Sequence, residues 1–329
     1  MELATNGTNH GNLGSGSLPV QNYGYLVFNR SDAPANAYDV INDIIGSGIV
    51  KKKNIGTVIL RGSNSSYTGA TQVIEGKLAL SNSPNGLGSI DGLTTVSSSG
   101  TLELRTVFSP ETVVLNGGIL ASSVGASGLT GSLIVTANSQ LSPTSSSDLT
   151  LSGTVRVYPE AILSITGTSG KVILTNGSNQ IGNMNVGATM ALQIGDNTAG
   201  SVGRGVITTG ANSDVITNTN NGHLVFGSKI TGSGEFYQVR NTVYLTADND
   251  YTGNTTIGGN GTVGLLNQNA ELRVGTDTYT GNLGTGTITI QSSTNSNSAL
   301  RYHLLRNRVV SNNIFINPST NGSTARNAT

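Results

Sequence analysis

The residues best suited to chemistry are few and widely spaced in this chain. Its three histidines, His10, His223 and His303, show no ligand spacing among them, and cysteine is absent. A zinc site needs three or four ligands that converge on the ion. We therefore predict no metal site and no cofactor, and we expect His223 to occupy a surface position.

The acidic residues form two further groups of interest. Asp248, Asn249 and Asp250 present oxygen atoms of the kind that bind calcium, but the matching residues 64 to 66 of a repeat described below carry no carboxylate. A polar turn is the prediction here. Glu103 and Glu111 lie in neighbouring segments, and the serines lack the Gly-x-Ser-x-Gly context of an activated nucleophile. These patterns predict that the chain is not an enzyme.

The charge balance argues against a nucleic-acid partner. Lysine and arginine together number 17, as do aspartate and glutamate, so the formal net charge is zero. Binding of a phosphate backbone needs clustered basic residues. The small basic groups, Lys51 to Lys53 and Arg301, Arg306 and Arg308, are interpreted as solvated strand faces or turns.

Two distant stretches of the chain have nearly the same sequence. Residues 46 to 80 and residues 232 to 265 share Gly-Ser-Gly, an alternating strand, Tyr-Thr-Gly and a second alternating strand. A unit of this kind stacks on its neighbours to bury its apolar face. The predicted structural repeat residues are Gly46, Gly48, Tyr67, Thr68 and Gly69 in one copy, and Gly232, Gly234, Tyr251, Thr252 and Gly253 in the other.

Short stretches of alternating apolar and polar residues occupy most of the chain between these copies. Asn-Gly pairs such as Asn85-Gly86 and Asn116-Gly117 punctuate them, and such pairs suit tight bends as well as β-hairpins. Residues 38 to 45 fit a short helical turn or a strand equally. With 45 glycines, no tryptophan and 10% charged residues, the composition favours an all-β solenoid.

The repeated segments resemble the passenger-associated transport repeats of bacterial autotransporters. The resemblance rests on YTGATQV at residues 67 to 73 and YTGNTTI at 251 to 257. It is supported by Leu-Gly-x-Gly-like elements at residues 13, 202 and 283, and by strands beginning at Gly24 and Gly222. It implies a right-handed parallel β-helix, an elongated rod, that is secreted through the outer membrane.

From these patterns we expect one continuous β-helix over residues 1–329, cut from a longer protein. The repeat copies cover about 13–104 and 193–317, with degenerate rungs at 105–192. Tyr67 and Tyr251 are expected to stack at corners, with an exposed turn tyrosine as the alternative.

The expected function is a non-enzymatic structural or adhesive one at the bacterial cell surface, including self-association in filaments or biofilms. Partners would be the chain itself or a host or cell-surface ligand, with no nucleic acid. No apolar run is long enough to span a membrane. The alternatives are a glycan-active β-helix enzyme, with acidic residues clustered on one strand face, and a passive stalk for an effector domain outside this segment.

Overall fold

The structure, a computed structural model, describes residues 1–6, 9–10, 13–14, 18–31, 36–220, 222–258, 270–275, 281–291, 298–302 and 310–317. His303, Arg306 and Arg308 lie outside the described residues, as does the side chain of His10. Among the described residues the secondary structure is all-β, and none of them forms a helix able to cross a membrane. The parallel strands of the described residues stack as a β-solenoid, which confirms the predicted fold class.

The chain divides into two compact units, at residues 1–171 and 172–329, with the division inside one strand. The first unit contains short strands, most of them parallel to their partners. They are β1 (Glu2–Asn6), β2 (Asn9–His10), β3 (Val20–Gln21), β4 (Tyr25–Asn29), β5 (Tyr38–Val40), β6 (Ile44–Ile45), β7 (Ile49–Lys53), β8 (Thr57–Leu60), β9 (Thr71–Ser81), β10 (Thr94–Arg105), β11 (Phe108–Ser109), β12 (Val113–Asn116), β13 (Ile119–Val124), β14 (Ser127–Leu129), β15 (Leu133–Ala137), β16 (Ser139–Ser142), β17 (Leu149–Leu151), β18 (Val155–Val157), β19 (Ile162–Ile165) and β20 (Gly170–Leu174), which contains the division.

The second unit continues with strands of the same kind. They are β21 (Asn183–Val186), β22 (Met190–Thr198), β23 (Val206–Thr209), β24 (Asp214–Thr219), β25 (His223–Phe226), β26 (Lys229–Gly232), β27 (Glu235–Gln238), β28 (Asn241–Leu245), β29 (Thr255–Ile257), β30 (Ala270–Val274), β31 (Ile288–Gln291), β32 (Ser298–Tyr302) and β33 (Ile314–Asn317).

Parallel register stacks like residues on like in the first unit. Val73 pairs with Val96, Val96 with Leu115, and Leu115 with Val135, each step spanning about 20 residues. These side chains point inward and are fully buried, because alternate residues of a strand face opposite sides. Each such burial contributes about 1.5–3 kcal/mol relative to exposure. The hydrophobic core is therefore a set of aliphatic columns.

The bends between strands resolve two open questions of the sequence. Asn116-Gly117 separates β12 from β13, and each of these strands pairs with strands of other turns, so the bend joins parallel strands and does not close a hairpin. Gly117 has a φ of +87°, which glycine adopts without strain. Residues 38 to 45 form β5 and β6, so the strand alternative is the observed one.

Candidate functional site

The repeat tyrosines are buried in the solenoid interior. Tyr67 and Tyr251 are both fully buried, and each hydroxyl lies 2.6 Å from the hydroxyl of a threonine four residues later, Thr71 or Thr255. Burial raises the pKa of both phenols, against a smaller opposing effect of these hydrogen bonds. The alternative of an exposed turn tyrosine is therefore wrong.

A glycine of the following turn packs on each tyrosine ring. A Cβ at Gly88 would lie 3.0 Å from Cδ1 of Tyr67, and one at Gly284 would lie 2.6 Å from Cδ2 of Tyr251. The next residue in each case donates its N–H to the tyrosine carbonyl, at 2.9 and 2.8 Å. The Leu-Gly element of one turn thus covers the Tyr-Thr-Gly element of the turn before it.

The repeat glycines allow successive turns to approach closely. Gly46 and Gly232 have φ values of +106° and +99°, and their carbonyls accept the N–H of Thr68 and Thr252 at 2.9 and 2.8 Å. A Cβ at any of the other four would lie within 2.6 Å of an atom of the preceding turn. These four are Gly48, Gly69, Gly234 and Gly253.

One repeat position escaped the sequence analysis. Lys52 follows Gly48 at the same spacing as Gln238 follows Gly234, so the two positions are equivalent. Both side chains are fully buried. Lys52 Nζ donates to the carbonyls of Lys53 and Glu75 at 2.8 and 3.1 Å, and Gln238 Nε2 donates to Arg240 O at 3.0 Å. Both side chains satisfy corner carbonyls. The prediction of a solvated lysine face is wrong for Lys52.

The flanking lysines behave differently from Lys52. Lys53 is exposed, and the Lys51 ammonium lies 4.5 Å from the centroid of the Tyr25 ring on the outside of the solenoid. Alternate residues of a strand face opposite sides, so Lys51 and Lys53 point outward and Lys52 points inward.

The predicted polar turn at Asp248 to Asp250 is structural. Asn249 Oδ1 accepts the N–H of Ile230 at 2.8 Å, and the equivalent Ser65 hydroxyl accepts the N–H of Ile44 at 3.0 Å. Asp250 forms an ion pair with Lys229 at 2.6 Å, and this hydrogen bond lowers the pKa of the carboxyl. The side-chain oxygens of Asn249 and Asp250 are thus engaged by the protein itself.

Glu103 and Glu111 lie in different columns of the first unit. Glu103 pairs with Ala79 and Ala121 and bonds Lys77 and Arg105; burial raises its pKa, but these cations bring the net shift below the usual value. Glu111 is buried two residues before β12, in the register of the repeat glycines. Desolvation raises the pKa of Glu111 to about 8, opposed by a hydrogen bond from Thr94.

An acidic pair does occur on one strand face of the second unit. Asp214 and Glu235 are paired in register on β24 and β27, and the Tyr237 hydroxyl donates to Glu235. Partial burial, and secondarily the charge of Glu235, raise the pKa of Asp214 to about 6. The sequence did not reveal this pair because the two residues are adjacent only once the stacking register is known.

Aromatic and charged side chains cluster on the outward side of β25, β28, β30 and β32. Register places Thr242 between His223 and Glu271, and Tyr244 between Val225 and Arg273. We call this surface the arginine–tyrosine face. Its members are His223, Val225, Tyr244, Glu271, Arg273 and Arg301.

Tyr244 is the centre of the arginine–tyrosine face. The His223 ring meets it edge-on with centroids 5.5 Å apart, and the guanidinium of Arg273 lies 5.1 Å from its centroid. Arg273 also donates to the Tyr244 hydroxyl at 2.7 Å. His223 is exposed, as predicted, and Val225 is 55% exposed, so the aromatic cluster borders an open apolar side chain.

The charged groups of the arginine–tyrosine face form ion pairs, but positive groups outnumber negative ones. Glu271 bonds Arg273 at 2.8 Å and Arg301 at 2.5 Å, so two guanidinium groups share one carboxylate. Burial raises the pKa of Glu271, but the two arginines bring the net shift below the usual value. Because the Arg301 side chain is 64% exposed, its ion pair with Glu271 is accessible to solvent.

A groove of about 300 Å³ adjoins this face and shares Val225 with it. Three of its eight lining residues are glycines, and its polar groups come from neighbouring turns. The other lining residues include Asn179, Ser201, Gly203, Arg204, Gly227 and Thr246. The volume lies at the lower end for small-molecule sites. Within the described residues, no three histidine or acidic side chains converge as a metal cluster would require.

Comparison with known proteins adds no assignment. No protein-family model matches the chain, and neither the curated proteins nor the solved structures contain a match.

Proposed function

We propose that this chain is a structural and adhesive β-helix segment of a secreted bacterial protein, displayed at the cell surface, that binds through the arginine–tyrosine face. The observation that carries the proposal is the clustering of His223, Tyr244 and Arg273 on the outer face of one parallel sheet. The extracellular location is supported by the resemblance of the two repeats to passenger-associated transport repeats.

The chemistry of this face suits adhesion. Tyrosine and arginine dominate the energetics of protein binding surfaces, because they bring large contact area and several donors to one place. Neighbouring strands are about 4.8 Å apart, so the face offers regularly spaced contacts to an extended ligand. The partner is a cell-surface or host ligand, or a second copy of the chain.

Adhesion is tested with beads that carry the purified chain. We expect beads with the wild-type chain to cluster with one another or to attach to bacterial or host cells. Tyr244→Ala and Arg273→Ala should each reduce attachment about tenfold, since hot-spot residues contribute on the order of 1.4 kcal/mol or more. Tyr158→Ala is the matched control, because Tyr158 is exposed beside Arg156 in the first unit.

The bead experiment also separates the proposal from a passive stalk. A stalk would show neither clustering nor attachment, and the two face variants would behave like the wild type. Equal attachment by wild type and both face variants would exclude the arginine–tyrosine face as the adhesive surface.

A glycan-active enzyme is the second candidate, and the Asp214–Glu235 pair favours it. Glycosidases use two carboxyl groups, one kept protonated by its environment, and the raised pKa of Asp214 gives that asymmetry. Incubation with a panel of bacterial polysaccharides should release reducing ends only if this candidate is right. Activity lost in Asp214→Asn and kept in Asp91→Asn would establish it; no release by the wild type would exclude it for those substrates.

A further inference from the structure

The groove beside the arginine–tyrosine face combines one cationic side chain with uncharged polar ones. Its polar side chains are those of Asn179, Ser201, Arg204 and Thr246, and the described residues that line it include no aspartate or glutamate. Its volume of about 300 Å³ suits a small organic group rather than a folded domain. The groove therefore favours a ligand that is narrow at the point of contact and negatively charged.

Hydrogen bonds within the protein hold the polar walls of the groove in place. Asn179 is 5% exposed, and its Nδ2 donates to the carbonyls of Asn176 and Ser201, both at 3.0 Å. The Ser201 hydroxyl accepts the N–H of Asn179 at 2.8 Å, and the Thr246 hydroxyl donates to the carbonyl of Phe226 at 3.3 Å. Groups that are fixed in advance lose little entropy when a ligand binds. The groove is thus preorganised for binding.

The hydroxyl oxygens of Ser201 and Thr246 determine which ligand groups the groove can pair with. Each hydroxyl already donates its single proton to a backbone carbonyl, that of Asn176 or Phe226, and each oxygen still has an acceptor position. These oxygens therefore accept hydrogen bonds from a ligand, whereas a guanidinium such as that of Arg204 only donates them. A matching ligand carries hydroxyl donors and an anionic acceptor close together.

A glycine of the following turn makes room for the Arg204 side chain in the groove. A Cβ at Gly227 would lie 3.2 Å from Cγ and 3.8 Å from Nε of Arg204. The long side chain of Arg204 therefore lies across the position that a larger residue at 227 would occupy. Guanidinium groups bind carboxylates through two parallel N–H bonds. Arg204 is thus suited to anchor a ligand carboxylate.

The groove and the arginine–tyrosine face form one continuous strip of the second unit. Val225 belongs to both, and the register continues from it through Tyr244, Arg273 and Arg301 on successive strands. Arg273 lies two strands beyond Val225, about 10 Å away at the usual strand spacing. Arg273 and Arg301 share the single carboxylate of Glu271, so this part of the strip has an excess of positive charge.

We propose that the strip formed by the groove and the arginine–tyrosine face binds an acidic polysaccharide that contains uronic acids. A uronic acid carries a carboxylate and several hydroxyl donors on a single ring, which match the guanidinium of Arg204 and the hydroxyl oxygens of Ser201 and Thr246. Sugars further along the same polysaccharide bring their carboxylates to Arg273 and Arg301. This inference rests on the proposed adhesive function and identifies the ligand of that face.

An acidic peptide is the competing ligand, and the strip suits it less well. The central strands β28 and β30 have a neighbouring strand at both edges, so they cannot pair with the backbone of an added peptide strand. A peptide would bind through its carboxylate side chains, which supply acceptors and no donors. The hydroxyl oxygens of Ser201 and Thr246 would gain no partner from those groups.

Isothermal titration of the full chain with oligogalacturonate tests the proposal. We expect saturable binding that weakens in high salt, since the Debye length falls from about 10 Å at 0.1 M to about 3 Å at 1 M. Neutral dextran and poly-glutamate should each bind at least tenfold more weakly than oligogalacturonate.

Three substitutions locate the binding to the strip. Arg204→Gln should weaken oligogalacturonate binding about tenfold. Val225 is 55% exposed, so changes there should leave the fold intact. Val225→Asp should weaken binding at least tenfold by charge repulsion, whereas Val225→Lys should strengthen it several-fold. Arg156→Gln is the matched control, because Arg156 is an exposed arginine beside Tyr158 in the first unit, and it should bind like the wild type.

Three results would overturn the proposal. They are no binding of oligogalacturonate, binding of dextran or poly-glutamate that equals it, and wild-type affinity in both Arg204→Gln and Val225→Asp. Val225→Lys keeps the test decisive if a weakened variant proves unstable, because it predicts a gain in affinity. Bead attachment that depends on Tyr244 but is not blocked by free oligogalacturonate would refute the acidic polysaccharide alone and leave the adhesive function standing. Loss of both attachment and oligogalacturonate binding would remove both.

Discussion

Glu111 places a buried carboxyl group in a column of stacked glycines. Its neighbours in the same register, Gly92 and Gly131, have no side chain, and the Glu111 side chain turns inward and is buried. Thr94 is its hydrogen-bonding partner, at 3.4 Å. A carboxyl that loses its water without gaining a cation keeps its proton to higher pH.

This burial predicts a pH dependence of stability. The pKa of Glu111 is raised from 4.5 to about 8 in the folded chain, so the unfolded chain releases its proton first as the pH rises. The contribution of Glu111 to the free energy of unfolding should therefore be greatest below about pH 4.5 and should fall as the pH rises to about 8. Glu111→Gln should remove this part of the decline.

Urea unfolding at pH 6.5 and 8 isolates the effect of Glu111. Asp214, whose pKa is raised to about 6, contributes its own decline mostly below this window. The wild type should lose more stability than Glu111→Gln between the two pH values. Equal losses in the two proteins would show that Glu111 is ionised in the folded chain.

The sequence identified which residues belong to the repeat, but it did not determine whether each side chain is buried or exposed. Tyrosine suits both a surface and an interior, so the sequence alone leaves the burial of Tyr67 and Tyr251 open. A threonine four residues later in both copies supplies a hydrogen-bonding partner for a buried hydroxyl. The charge of Lys52 favours a solvated position, whereas its place in the strand favours the interior. Lys52 has the same strand parity as the buried Val50, which was the sign that it points inward.

At the scale of elements, glycine columns set how closely turns stack. Gly24, Gly48 and Gly69 are in register in successive turns of the first unit. A Cβ at Gly69 would lie 2.3 Å from the carbonyl oxygen of Gly48, whereas one at Gly24 would meet no atom within 4 Å. The same residue type at the same corner is therefore indispensable in one turn and replaceable in another.

A matched pair of substitutions measures this difference. Gly69→Ala should lower the free energy of unfolding by about 2–3 kcal/mol, because the rigid backbone of the preceding turn must move. Gly24→Ala should change it by no more than about 0.5 kcal/mol, as for other surface substitutions. Chemical denaturation of both variants checks the prediction. Similar losses at the two positions would contradict the close-approach role of Gly69.

The alternation of short strands predicted the β-solenoid, but the candidate surfaces could not be read from it. Tyr244, Arg273 and Arg301 are far apart in sequence and become neighbours through parallel register. Sequence proximity groups Arg301 with Arg306 and Arg308, whereas in the structure Arg301 forms an ion pair with Glu271 of the preceding turn. The Asp214–Glu235 pair was hidden for the same reason.

At the scale of the whole molecule, we expect function to reside on the outward side chains of stacked turns. The interior is occupied by aliphatic columns and by polar groups such as Tyr67 and Lys52 that satisfy the backbone and one another. The strand faces and corners are therefore the surfaces that are open to a ligand. The assignment of a single continuous β-helix over residues 1–329 stays a prediction.

Disulfide trapping tests the parallel register on which every proposed site depends. The chain contains no cysteine, so an introduced pair has no competitor. Thr242 and Glu271 are in register on β28 and β30, and neighbouring strands about 4.8 Å apart suit a disulfide. We predict that the Thr242→Cys/Glu271→Cys chain forms an intramolecular disulfide in high yield, whereas Thr242→Cys/Arg273→Cys, two residues out of register, does not. Preferential bonding of the second pair, or equal bonding of both in non-reducing mass spectrometry, would contradict the stacked arrangement.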